Sequence, residues 1–193
     1  MENRERIFEI SRMDQNSHIG SSLGIYECLK VVENQIQDDD IIVLDGAHGS
    51  LGYFVWLEEH QGYDARVLHK EHGTHQHIDL EHGIEVSGGS LGLASGVALG
   101  RALVNKDRNV WLITTDGSMA EGVNWEMLRI KADMKVDNLK VVISANGWGA
   151  FGKISIDNLE KRAHSFCPDV SVVRTNTDFE GSEGQNAHYG KIK

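Results

Sequence analysis

Short apolar runs alternate with segments of helical spacing along this chain, and that alternation limits the possible folds more than any other feature. The apolar runs cover residues 41–44, 109–114, 139–145 and 170–175. Strands that alternate with helices form a parallel sheet that is covered by helices on both faces. The chain has the length of one ordinary domain. We therefore predict an α/β fold in which residues 1–193 form a single domain.

The segments between the apolar runs predict several helices, and two other segments lack a regular period. The predicted helices lie near the N-terminus and over residues 23–36, 50–60, 88–106, 120–134 and 157–166. The fourth of these is expected to open at Gly88 and Gly89. Residues 68–83, which hold five of the ten histidines, and the glycine-rich residues 146–156 are predicted to be loops.

The charge and the cysteine content argue against several classes of function. A formal net charge of −10 and a pI near 5.4 would repel the phosphates of nucleic acids. The two cysteines, Cys28 and Cys167, are far apart in sequence and provide no disulfide framework, which suits a reducing compartment. No run of about 18 apolar residues exists, and the charged N-terminal segment lacks the apolar core of a signal peptide. We predict a cytoplasmic protein that binds neither nucleic acid nor membranes.

Polar residues follow the apolar runs at the points where the predicted strands end. Asp45 and His48 follow the first run, Asp116 and Gly117 follow the second, and Asn146 follows the third. Ligands of open parallel sheets bind outside the carboxyl ends of the strands. These residues therefore mark the expected binding site.

The residue types at these strand ends suit a hard cation and a phosphate. The carboxylate of Asp116, the amide oxygen of Asn146 and the backbone carbonyl of Trp148 form an oxygen-only set that favours Mg²⁺ or Ca²⁺. Gly117 has no Cβ, so a phosphate can approach the backbone amides at the start of the next helix. The alternative is that Asp116 only caps this helix, as Asp-Gly turns often do.

The wider pattern resembles a known family. The stretch "DGSMAEGVNWE", with Asn146 thirty residues after Asp116, resembles the thiamine-diphosphate motif of the transketolase family. Other stretches resemble signatures of that family, in the same order: "SHIGSSLGIYECL", "DGAHGSLGYF", "GIEVSGGSLGLASGVALG" and "NAHYGK". The five matches extend from residue 17 to residue 191, and their combination is far more specific than any one of them.

The resemblance implies a role for each matched residue and a fold that binds thiamine diphosphate. The implied metal ligands are Asp116, Asn146 and Trp148. The implied cofactor contacts are His48, Gly89, Leu91, Asp116, Gly117, Asn146 and His188. Substrate contacts and proton transfer are assigned to His18, His75 and His188, with His77 as the alternative to His75. Glu121 is expected to join a carboxylate network across a subunit contact, and Glu126 either extends that network or is an exposed acid paired with a lysine.

The resemblance also implies a partner chain. The family's glutamate that contacts the aminopyrimidine ring belongs to a second, pyrimidine-binding domain, and no segment after His188 can encode it. We expect a split transketolase that moves a two-carbon ketol unit from a ketose to an aldose, with both chains in a heterotetramer and this chain inactive alone. The substrates would be sugars or sugar phosphates.

Departures from the family pattern leave other functions open. Thr115 stands where the family has glycine, Ala145 precedes Asn146, and the segment between Asn146 and His188 is shorter than usual. The alternatives are a deoxyxylulose-phosphate synthase, a 2-oxo acid dehydrogenase subunit, and a non-catalytic protein that only binds cofactor. A zinc site formed by the histidines at 72, 75 and 77 is a further alternative.

Overall fold

The computed structural model of the chain describes residues 2–179 and 181–192. Within these residues the helices are α1 (Glu2–Asp14), α2 (Ile19–Val32), α3 (Ser50–Gln61), α4 (Ala65–His72), α5 (Leu93–Val104), α6 (Gly122–Met134), α7 (Ile156–Phe166) and α8 (Asn186–Tyr189). The strands are β1 (Ile41–Leu44), β2 (Val110–Thr115), β3 (Leu139–Ala145), β4 (Trp148–Gly149), β5 (Gly152–Lys153) and β6 (Ser171–Arg174). The four apolar runs of the sequence are thus β1, β2, β3 and β6.

These four strands form one parallel sheet in the order β1-β2-β3-β6. Thr115 at the end of β2 lies opposite Ser144 near the end of β3. Because β2 and β3 are neighbours, the residues that follow them emerge side by side at one edge of the sheet. The predicted parallel α/β fold is confirmed.

Helices cover both faces of the sheet, as predicted. Ile42 and Trp111 point to the face that packs against α1, α2 and α3, whereas Val43 and Leu112 point to the face that packs against α5, α6 and α7. Successive side chains of a strand point to opposite faces, so continuous apolar runs are needed when both faces are buried. Within the described residues, no helix has both the length and the apolar character required to cross a membrane.

The prediction of a loop over residues 68–83 was wrong in part, because α4 runs into this segment. Asp64 caps α4 by accepting hydrogen bonds from the backbone amides of Arg66 and Val67. A short 3-10 helix, Leu80–His82, comes later in this segment, and Asp79 caps it by accepting a hydrogen bond from the backbone amide of His82. The histidines at the end of α4 concealed the helical period, and the aspartate cap was the signal that marks the helix start.

The start of α5 was also predicted too early. The helix begins at Leu93, after Gly92 in a left-handed conformation with φ of 85°. Residues 88–92 instead form an irregular segment in which Gly89 has φ of 107°. These positive φ values favour glycine. This segment, rather than a helix, borders the site.

The glycine-rich segment 146–156 is more ordered than predicted. It contains a two-stranded hairpin in which Trp148 pairs with Lys153 and Gly149 pairs with Gly152. Lys153 Nζ lies 5.1 Å from the centre of the Trp148 ring. The hairpin projects Phe151, which is 70% exposed, beside the carboxyl end of β3.

Candidate functional site

A cavity of about 320 Å³ lies beyond the carboxyl ends of β2 and β3. The residues to which the family resemblance gives a metal, cofactor or substrate role, together with Glu121, line this cavity, although they come from distant parts of the chain. They are His18, His48, His75, Gly89, Leu91, Asp116, Gly117, Glu121, Asn146, Trp148 and His188. The fold therefore brings the predicted residues together, and the role of each residue stays a prediction.

Asp116 connects the end of β2 to the loop that follows β3. Its side chain is 3% exposed; Oδ1 accepts a hydrogen bond from the Gly117 amide at 2.9 Å, and Oδ2 accepts one from the Gly147 amide at 2.7 Å. Burial raises the pKa of this carboxyl group to about 6, although the neighbouring backbone amides oppose the rise. Asp116 does not cap α6, because that helix begins at Gly122 behind Glu121. A cap is therefore not the role of this carboxylate.

Asn146 stands beside Asp116 at the end of the neighbouring strand. Its Oδ1 accepts a hydrogen bond from the Trp148 amide at 2.8 Å, which folds the loop back toward the cavity. Among the described residues that line the cavity, none is a lysine or an arginine. A buried carboxylate requires a compensating charge. Carboxylate, amide and carbonyl oxygens without a basic partner suit a hard divalent cation.

Four histidines surround the other side of the cavity. The ring centres of His18 and His48 are 5.8 Å apart, and His18–His75 and His48–His188 are each 6.2 Å apart. Burial, with a smaller effect from the other three rings, lowers the pKa of His48 to about 3. Burial also lowers the pKa of His18, and His188 and His75 add to this effect. The imidazoles of His18 and His48 are therefore neutral at pH 7 and can donate or accept hydrogen bonds.

His18 has a strained backbone at the start of α2. It is in the left-handed region, with φ of 62° and ψ of 29°, and it does not cap the helix through its side chain. Its backbone amide donates to the carbonyl oxygen of His188 at 2.8 Å. A non-glycine residue in this conformation costs about 1–2 kcal/mol, and such strain is concentrated at functional sites.

His188 reaches the cavity from α8, near the C-terminal end of the chain. Its Nδ1 lies 2.8 Å from Ser21 Oγ, whereas its Nε2 is buried and has no hydrogen-bond partner within residues 2–179 and 181–192. Burial lowers the pKa of His188, and the backbone of Trp148 opposes this shift. The ring thus lines the cavity and has one nitrogen that makes no hydrogen bond within the described residues.

Glu121 and Glu126 are both exposed, but they lie in different places. Glu121 precedes α6 at the rim of the cavity, and its side chain makes no cap hydrogen bond. Glu126 forms an ion pair with Arg129 at 2.6 Å on the outer surface of α6. Glu126 is thus an exposed acid in a local ion pair, with arginine rather than lysine as its partner.

His72, His75 and His77 occupy different places in the structure. His75 lines the cavity, whereas His77 does not, which favours His75 as the candidate substrate contact. His72 Nε2 lies 3.4 Å from Asp79. In the described part of the chain, the imidazole nitrogens of His72, His75 and His77 do not come within 4.8 Å of one another. They do not form a zinc site.

Ser21 was not identified from the sequence, although it lines the cavity and contacts His188. Asp45, which was expected to mark the binding site, does not line the cavity. Its Oδ1 instead accepts hydrogen bonds from the amides of Gly92 and Ala94 at 2.8 and 3.3 Å, and so fixes the start of α5 to the end of β1.

Comparison with known proteins gives consistent matches. The family model described as 1-deoxy-D-xylulose-5-phosphate synthase matches residues 1–155. One of the subunits of the apulose-4-phosphate transketolase of Actinobacillus succinogenes is 30% identical over 187 residues, covering 82% of this chain and 66% of that protein. A transketolase of Rhodobacter capsulatus is 26% identical over 149 residues, covering 67% of this chain and 22% of that protein. The chain thus spans about two thirds of the first relative and about a fifth of the second.

Solved structures agree with the fold. Transketolase from Leishmania mexicana superposes with a TM-score of 0.71 at 19% identity, over 85% of this chain and 30% of that chain. Transketolase from Campylobacter jejuni gives a TM-score of 0.65 at 23% identity, over 83% of this chain and 30% of that chain. At these identities the likeness concerns the fold alone. Because the family match extends over most of the sequence, this chain belongs to the family of N-terminal domains of 1-deoxy-D-xylulose-5-phosphate synthases and transketolases.

Proposed function

We propose that this chain is the diphosphate- and metal-binding subunit of a thiamine-diphosphate-dependent transketolase that transfers a two-carbon ketol unit from a ketose to an aldose. The observation that carries this proposal is that Asp116 and Asn146, at the ends of neighbouring strands, line one cavity with four histidines. Family membership supports a transferase of this type.

The residues of the cavity fit a metal-bound diphosphate. Asp116 and Asn146 provide oxygen ligands, and Trp148, whose backbone carbonyl is the third proposed ligand, lines the same cavity. A Cβ at Gly117 would meet no atom closer than 3.7 Å, so the backbone there is open to a phosphate. Mg²⁺ commonly combines a few protein oxygens with water and phosphate oxygens. We assign Asp116, Asn146 and Trp148 as metal ligands on this basis.

When bound, thiamine diphosphate supplies the carbon nucleophile that attacks the ketose carbonyl and stores the two-carbon unit. The chain itself binds and orients. His48 and Gly117 would hold the diphosphate, and Gly89 and Leu91 would border the aminopyrimidine ring. His18, His75 and His188 would donate hydrogen bonds to substrate oxygens and transfer protons, as neutral imidazoles can.

The proposed site includes a second, pyrimidine-binding domain. We infer that a pyrimidine-domain chain pairs with this one in a heterotetramer, and that Glu121 at the cavity rim faces the contact between them. The relative from Actinobacillus succinogenes is named as one subunit of its transketolase, which supports a split arrangement. The segment shared with the transketolase of Rhodobacter capsulatus is only 22% of that protein.

A second candidate function is the synthase reaction. The family model that matches residues 1–155 carries the description 1-deoxy-D-xylulose-5-phosphate synthase. Such an enzyme would take its two-carbon unit from a 2-oxo acid with loss of CO₂, rather than from a ketose. Release of CO₂ therefore distinguishes the two reactions.

Binding of the cofactor provides the first test. Calorimetry with thiamine diphosphate and Mg²⁺ should show binding that Asp116→Asn weakens at least tenfold, because the variant removes a charged metal ligand. Asp133→Asn, which makes the same change at an exposed residue of α6, is the matched control and should bind normally. Equal binding by the two variants would contradict the metal assignment.

Activity provides the second test. The chain is mixed with the candidate pyrimidine-domain chain, Mg²⁺ and thiamine diphosphate, and transfer is followed with ketose donors that include apulose 4-phosphate, which the name of the relative from Actinobacillus succinogenes specifies. We expect ketol transfer by the mixture and none by either chain alone. Transfer by this chain alone would refute the split site, and CO₂ release from a 2-oxo acid would favour the synthase.

A further inference from the structure

The inference concerns the contact between α2 and α8 at one side of the cavity. The backbone amide of His18 donates to the carbonyl oxygen of His188, which ties α8 to the start of α2. A Cβ added at Gly20 would lie 2.8 Å from the Cβ of Ala187, so the two helices approach too closely for a side chain there. The position of α8 is therefore fixed against the first turn of α2.

Ser21 adds a side-chain contact to this backbone contact. Ser21 is 4% exposed, and its Oγ lies 2.8 Å from Nδ1 of His188. Within the described part of the chain, this imidazole is the only hydrogen-bond partner of the Ser21 hydroxyl. The hydroxyl does not cap α2.

The contact determines which nitrogen of His188 carries the proton. A neutral imidazole has one N–H donor and one acceptor nitrogen. If Nδ1 carried the proton, the Ser21 hydroxyl would accept it, and its own hydrogen would have no acceptor in a buried place. A buried donor without an acceptor is unfavourable. The arrangement in which Ser21 donates to Nδ1 gives both the hydroxyl and Nδ1 a partner, and it leaves the proton on Nε2 of a ring that lines the cavity, where a ligand oxygen can accept it.

We propose that Ser21 is a positioning residue that orients the His188 ring and keeps its proton on Nε2, so that Nε2–H donates a hydrogen bond to an oxygen of the bound ligand. Nε2 has no hydrogen-bond partner among the residues that the structure describes, and the His188 ring lines the cavity in which such a ligand would bind. Only the identity of the acceptor rests on the proposed function. If the proposed function holds, the acceptor is a diphosphate oxygen of the cofactor or an oxygen of the sugar.

The neighbouring serine supplies a matched control. Ser22 is fully buried on the same turn of α2, but its hydroxyl donates to the backbone carbonyl of His18 at 3.3 Å. That carbonyl already accepts the Ser22 amide at 3.1 Å. Ser22→Ala therefore removes a buried hydroxyl from the same helix without removing a contact to the His188 side chain.

Nitrogen-15 NMR of the histidine side chains tests the proposal directly, because it identifies the protonated ring nitrogen of each neutral imidazole. The chain without ligand is labelled and measured at pH 8, and His188 is assigned as the signal that is missing in His188→Gln. We expect the wild type and Ser22→Ala to carry the proton on Nε2. In Ser21→Ala the ratio of Nε2–H to Nδ1–H should fall about tenfold, the size of one ordinary hydrogen bond. Ser21→Thr, which retains a hydroxyl, should restore the ratio.

A proton on Nδ1 in the wild type, or an unchanged ratio in Ser21→Ala, would overturn the proposal. This result does not depend on catalysis. With the partner chain present, we also expect kcat for ketol transfer to fall about tenfold in Ser21→Ala and to recover in Ser21→Thr. If the NMR result holds and the wild type transfers no ketol unit, the proposed function fails while the positioning role of Ser21 stands.

Discussion

Replacing Asp116 with asparagine is the most informative perturbation, because this carboxylate is buried without a basic partner in the cavity lining. Burial raises its pKa from 3.8 to about 6. An unfolded chain releases this proton near pH 4, whereas the folded chain holds it until near pH 6. The stability that the protonated group contributes below pH 4 is therefore lost as the pH rises through 6. A pKa change of this size corresponds to about 3 kcal/mol.

The asparagine substitution also lowers the free energy of unfolding by an amount that does not depend on pH. Two backbone amides, those of Gly117 and Gly147, donate to the two carboxylate oxygens. The amide group of an asparagine can accept only one of these bonds, and its NH₂ group faces the other donor. The mismatch costs about 1–3 kcal/mol at every pH. The variant is thus expected to be less stable than the wild type at pH 4 and to gain about 3 kcal/mol relative to it by pH 8.

Urea unfolding between pH 4 and pH 8, in EDTA, measures this difference. The lowered pKa of His48 makes stability rise with pH between about 3 and 6.5, opposite to Asp116, but His48 is present in both proteins and its effect cancels. In a second series without EDTA, Mg²⁺ with thiamine diphosphate should stabilise the wild type more than the variant. A difference in unfolding free energy that stays constant from pH 4 to pH 8 would refute the assignment of Asp116 as a buried charge.

Three further predictions concern the histidine side of the cavity. His18→Gly should raise the free energy of unfolding by about 1 kcal/mol relative to His18→Ala, since glycine tolerates the left-handed backbone; equal urea midpoints for the two variants would contradict the strain. Gly20→Ala should lower stability by about 1–3 kcal/mol and weaken cofactor binding, because its Cβ would overlap that of Ala187; unchanged calorimetric binding would argue against a role for this contact. His75→Ala should reduce kcat/KM for ketol transfer at least tenfold, whereas His77→Ala should not, since only His75 lines the cavity; the reverse order in a kinetic assay would exchange their roles.

The sheet and the strand ends could be predicted because local sequence determines them. A strand buried on both faces requires a continuous apolar run, and each such run of this chain became a strand of the sheet. Asp116 and Asn146 come directly after two of these runs, so their proximity required only that β2 and β3 be neighbours. Two consecutive strands that are joined by one helix, as β2 and β3 are by α6, commonly lie side by side in a parallel sheet.

Features that depend on contacts between distant segments could not be predicted. A serine in the first turn of a helix can cap the helix or face a neighbour, and the partner of Ser21 lies 167 residues away. His75 and His77 are two residues apart in an irregular segment, so no period shows which of them faces the cavity. The start of α5 depends on Asp45, which lies after β1 in another part of the fold. Its carboxylate accepts hydrogen bonds from the backbone amides of Gly92 and Ala94, at the beginning of the helix.

The cavity is enclosed by residues from His18 to Tyr189, nearly the two ends of the described chain. Any molecule that occupies it therefore binds only when the whole domain has assembled, and its binding free energy adds to that of folding. An occupant at a hundred times its Kd would add about 2.7 kcal/mol to the global stability. Melting temperature in the presence of candidate compounds should consequently report occupancy of this cavity, which makes thermal-shift screening a direct way to search for its natural ligand without a catalytic assay.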